Sequence, residues 1–166
     1  MNHRNDNPSA CRFNPHLPFD YLMDWNQLAT LMPFIFLAYQ ILIDWVNLFP
    51  WNDITTKTPK TRLLELLLNY SPLVLIAYGF HQATPTSQLY ALIGSIAYLL
   101  GHLNAWWRPY LFGAGVNEQA EYRQYFSRTY KFLPPIKDHP IPDGEHVVLG
   151  LICLLMVISS VLAYFI

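Results

Sequence analysis

The chain has 166 residues, of which 53% are hydrophobic and only 13% charged, with a formal net charge of −1. Soluble domains average roughly 25% charged residues, so about half the usual solvating charge is missing, and a near-neutral balance offers no clustered basic surface to a nucleic acid. The two cysteines, Cys11 and Cys153, fall in a polar segment and an apolar run respectively, and neither has the spacing of a thiol metal site or redox pair.

Residues 1–27 form a polar N-terminal segment that includes Asp6, Asp20 and Asp24 and lacks the apolar stretch of a secretory signal. Four apolar runs follow, at about 28–48, 62–81, 88–107 and 147–166. Each approaches the ~20 residues that cross about 30 Å of hydrocarbon. The expected architecture is all-α and integral to a membrane: a single four-span domain over 28–166, built as a four-transmembrane-helix bundle. A soluble bundle that hides these runs in its own core is disfavoured by the last run, which contains no charged residue. Pro33 and Pro72 lie inside runs, where membrane helices tolerate proline better than soluble ones.

The first run carries Gln40, Asp44 and Asn47 at i, i+4 and i+7, hence on one helical face. In the second, Glu65 and Asn69 stand one turn apart; in the third, Gly94, Ser95, Tyr98, Gly101, His102 and Ala105 form a small or polar stripe. The third run leaves through Trp106, Trp107 and Arg108, with Pro109 expected to discourage further helix. In the 108–146 loop, Tyr122, Tyr125, Phe126 and Tyr130 are expected to share the apolar stripe of a short amphipathic helix lying in the membrane interface. The four prolines of "LPPIKDHPIPDG" exclude regular helix after it. This loop can fold over the end of the bundle, or present Trp106, Trp107, Arg108 and its aromatic stripe to a partner. The last run repeats the small or polar stripe with His146, Gly150, Cys153, Val157 and Ser160, while Ser159 and Ser160 are expected to bond back to their own backbone.

Basic residues set the expected orientation. Arg4 and Arg12 lie on one side; Lys57, Lys60, Arg62, Arg108, Arg123, Arg128, Lys131 and Lys137 lie on the other. Loops 49–61 and 108–146 are therefore expected in the cytoplasm and both termini outside, in a bacterial inner membrane. Trp25, Trp45, Trp51, Trp106 and Trp107 all fall near a span boundary, as an aromatic belt requires.

With this topology Gln40, Asp44, Glu65, Asn69, His102 and His146 all fall within about two turns of the cytoplasmic boundary, where polar groups face the bundle interior. Imidazoles and carboxylates together suit a divalent metal, and a histidine beside a carboxylate suits proton transfer near neutral pH. His102, His146, Glu65 and Asp44 are the metal-ligand candidates. The Glu-x-x-His pairs of bundle metal sites do not occur, and His102 and His146 sit at unequal helical depths for a bis-histidine haem. Structural pairing and packing account for the cluster most simply, so no cofactor is predicted and a divalent metal is the alternative. The expected role is that of a small non-enzymatic structural, accessory or interaction protein, with the bilayer, a membrane-protein partner or a second copy as its company. The rivals are a small proton-coupled transporter, which would need to dimerise to enclose a pathway, and a metal-dependent membrane enzyme.

Overall fold

The computed structural model describes residues 24–166. Most of the polar N-terminal segment, with Arg4, Cys11 and Arg12, lies outside them. The described residues form helices α1 (Trp25–Trp45), α2 (Pro59–His81), α3 (Pro85–Phe112), α4 (Val116–Tyr125) and α5 (Gly144–Phe165), with a short 3-10 turn at Ile54–Thr56 and no strand. α1, α2, α3 and α5 are long and apolar enough to cross a membrane.

The long helices start where the sequence supplies caps. Thr58 and Thr84 each accept the amide three residues on, and Pro59 and Pro85 follow at the first helical position, where a missing N–H costs nothing and the fixed φ suits the helix. Asp24 and Asp143 cap α1 and α5 through their carboxylates.

α1 packs on α2 and α5, and α3 packs on the same two helices, so the four close a square of antiparallel neighbours. At one end Gln88 of α3 donates to Asn26 of α1 at 2.9 Å. Midway, the hydroxyls of Ser95 and Ser160 meet at 3.0 Å. Each also bonds to its own helix, to the Ala91 and Met156 carbonyls respectively, and Ser159 likewise reaches the Met156 carbonyl. The core between them is Phe36, Leu73, Phe80, Cys153 and Met156, all buried, with Phe36 edge-on to Tyr98.

The chain departs from the sequence expectation in the third helix and in the loop. α3 runs through Pro109 to Phe112 because a π turn at Leu103–Trp107 intervenes, in which the Arg108 amide donates to the Leu103 carbonyl. The wider turn relieves the clash between the proline ring and the preceding turn that would break an α-helix. α3 stops at Gly113, whose φ of +95° favours glycine and leaves room for the His139 ring beside it. In the loop, α4 ends at Tyr125, so Tyr130 does not continue its stripe. Tyr130 instead joins the other connection: its amide donates to the Pro50 carbonyl, its own carbonyl accepts from Gly144, and its ring stacks on Trp51.

Candidate functional site

The α1–α2 connection, the α4 region and the start of α5 meet at one end of the bundle. There a cavity of about 270 Å³ opens among α1, α2, α3 and α5, lined chiefly by Gln40, Asn69, Tyr98, His102, Trp106 and His146. Four of the six polar residues singled out by their spacing, Gln40, Asn69, His102 and His146, thus share one cavity. The two carboxylates of that group are engaged at its margin. Asp44 accepts from Gln40 at 3.2 Å and from the Tyr70 hydroxyl at 3.0 Å; Glu65 is paired with Lys57 at 2.9 Å.

His102 lies against the next helix where Gly150 offers no side chain, and a Cβ there would stand 2.8 Å from His102 Nε2. That nitrogen is buried and makes no hydrogen bond among the described residues. His146, one turn above Gly150, is held from three directions. Its Nδ1 donates to Asp143 Oδ1 at 2.5 Å, the indole of Trp106 stacks on it with ring centroids 3.5 Å apart, and Phe126 meets it edge-on. Phe126 also stands edge-on to Trp106, so this member of the expected partner stripe is turned onto the bundle end. Tyr122 is half-buried beside it, whereas Arg108 pairs with Glu118 at the surface. Trp107 meets Tyr110 edge-on, and Tyr125 meets Phe126 in the same way.

Two members of this cluster were not singled out by spacing. Asp143 is fully buried, caps α5 and accepts the Thr129 hydroxyl on Oδ2 at 2.6 Å. Burial opposes its ionisation, but the His146 ring and the hydrogen bonds from His146 and Thr129 prevail and hold its carboxyl below the ordinary value. Glu145 is also buried, with Oε1 3.4 Å from His146 Nδ1. The signal for both is the run Asp143-Gly144-Glu145-His146, an N-cap aspartate with histidine at the third helical position. Gly144 is required there because the Trp51 ring lies where its Cβ would be, at 2.6 Å. Chemically, an ionised Asp143 fixes His146 as the Nδ1–H tautomer and leaves Nε2 as its basic nitrogen.

No known family, characterised protein or solved structure matches this chain.

Proposed function

We propose that this chain crosses a bilayer four times with its loop-bearing end in the cytoplasm, and that it serves as a non-enzymatic accessory component of a bacterial inner-membrane system. The observation that carries the proposal is the outward surface of the long helices. A third or less of each apolar window is buried within the chain, and Leu64, Leu68, Leu75, Ile93, Leu151 and Leu155 are among the large apolar side chains left exposed. So much unburied apolar surface suits lipid, or the helices of a neighbouring membrane protein or a second copy. The concentration of lysine and arginine at the loop-bearing end supports the orientation. Labelling of single-cysteine variants, with Cys11 and Cys153 replaced, tests it. Gln82→Cys is expected to react with an impermeant maleimide on intact cells, and Glu121→Cys only after permeabilisation. The reverse pattern overturns the orientation.

A second reading, a small proton-coupled carrier, is favoured by the convergence of Gln40, Asn69, His102 and His146 on one cavity with Asp44 behind Gln40. It expects His102→Gln and Asp44→Asn to abolish pH-dependent flux in proteoliposomes while both variants insert normally. Flux that survives in both variants removes it.

A further inference from the structure

We propose that Asp143, Glu145 and His146 form a binding site for one divalent first-row transition-metal ion. One ligand atom from each residue lies within 4.8 Å of the others. An imidazole with two carboxylates is a donor set that such ions accept, with a position left for solvent. The observation that points to a ligand is Glu145. The residue is 6% exposed and its side chain 8%, and its Oε2 makes no hydrogen bond among the described residues. A carboxylate oxygen taken out of water in this way needs a cation, a donor or a proton.

Two carboxyl groups converge on one imidazole at the start of α5, Asp143 as its N-cap and Glu145 in its first turn. A divalent cation bound there would compensate both carboxylates, of which the helix N-terminus offsets only about half a charge. Lys57 and Lys131 act on these carboxylates only through space, because Lys57 pairs with Glu65 and Lys131 donates to the Phe126 and Thr129 carbonyls. His146 Nδ1 is the common neighbour of both carboxylates, at 2.5 Å from Asp143 Oδ1 and 3.4 Å from Glu145 Oε1. The first separation is that of the Nδ1–H···Oδ1 hydrogen bond. A metal ion would displace that proton and set the two atoms roughly 3 Å apart, a shift within reach of small side-chain rotations. The outer support is in place, because Thr129 fixes the second oxygen of Asp143 and Trp106 fixes the plane of His146. Partners of this kind orient metal ligands and raise affinity. The sequence pointed to His102, Glu65 and Asp44 as companions of His146; of these, Glu65 and Asp44 are bonded to Lys57 and Tyr70 respectively.

The site does not depend on which end of the bundle faces the cytoplasm, so its test is separate from the topology experiment. The full chain, purified in detergent and stripped with a chelator, is titrated with Zn2+ by calorimetry and with Co2+ by visible absorption. One ion per chain is expected, with cobalt bands of nitrogen and oxygen ligation. Glu145→Gln and His146→Gln are each expected to weaken Zn2+ binding at least tenfold, and His81→Gln, at the opposite end of α2, to leave it unchanged. Asp143→Asn keeps the helix cap and is expected to weaken binding while the chain stays folded. The absence of binding at millimolar Zn2+ overturns the proposal, and so does binding that persists in Glu145→Gln or His146→Gln. Should a variant fail to fold, the cobalt spectrum of the unmodified chain decides: a spectrum without imidazole ligation overturns the site.

Discussion

Gly79 of α2 and Ala91 of α3 approach so closely that a Cβ on Gly79 would stand 2.8 Å from that of Ala91 and 2.9 Å from the Ser87 carbonyl oxygen. One of the two obstacles is backbone, so relief requires the helices to part. Gly79→Ala is therefore expected to lower stability by about 1–3 kcal/mol, against a helix-propensity gain of about 1 kcal/mol. Gly101 is the control, since a Cβ there meets nothing within 4 Å. Gly101→Ala is expected to be neutral or stabilising by up to about 1 kcal/mol. Unfolding in mixed micelles measures both.

Asn52 closes the end of α1. It is buried, donates to the Ile43 and Val46 carbonyls at 2.6 and 2.8 Å, and accepts the Leu48 amide at 2.6 Å. Asn52→Ala would orphan three backbone groups and is expected to cost about 2–4 kcal/mol. Asn52→Asp, which keeps the shape but loses both donations, should approach that loss in the same unfolding assay.

Acid should loosen the α1–α2 connection through Asp53. The Thr55 hydroxyl and amide donate to its carboxylate at 2.5 and 3.2 Å, and Arg128 lies 3.6 Å away. These partners, the Thr55 hydroxyl foremost and with burial opposing, hold the carboxyl below its ordinary value. The unfolded chain therefore takes up the proton first as pH falls. The contribution of Asp53 is complete above the ordinary aspartate value of about 3.9 and disappears as pH drops through the lower folded value. Unfolding measured between about pH 2.5 and 6 should show a shallower acid limb in Asp53→Asn than in the parent; identical limbs would contradict the assignment.

The Ser95–Ser160 contact links α3 to α5. A double-mutant cycle with Ser95→Ala and Ser160→Ala is expected to return a coupling of about 0.6 kcal/mol, the usual size for such bonds between membrane helices. Each hydroxyl also has a bond to its own helix, which is why the coupling should be small.

Much of the candidate site was legible because a helix repeats every 3.6 residues. Gln40 and Asp44 share a face by spacing alone, and they do hydrogen-bond. His102 and His146 were placed inward by the small residues around them, and both line the cavity. Asp143 and Glu145 were not legible. Their burial comes from Trp51 over Gly144, from Thr129 on Asp143 and from Tyr130 joined to Pro50. Those contacts link segments roughly 14 to 90 residues apart in the chain, which no periodicity along one helix reports. Trp106 shows the same limit: a boundary tryptophan by pattern, it is the ring stacked on His146.

The amino-acid sequence by itself determined four long apolar helices, because hydrophobic run length is a local property; each begins about three residues before its apolar run, at a cap such as Thr58-Pro59 or Thr84-Pro85. It also determined which faces carry polar groups. The tertiary structure alone decided which of those faces meet and which carboxylates accompany His146. It further decided that α3 passes through Pro109. Those outcomes depend on the order in which four helices close into a square and on two loops laid over one end, where contacts between distant segments outweigh local preference.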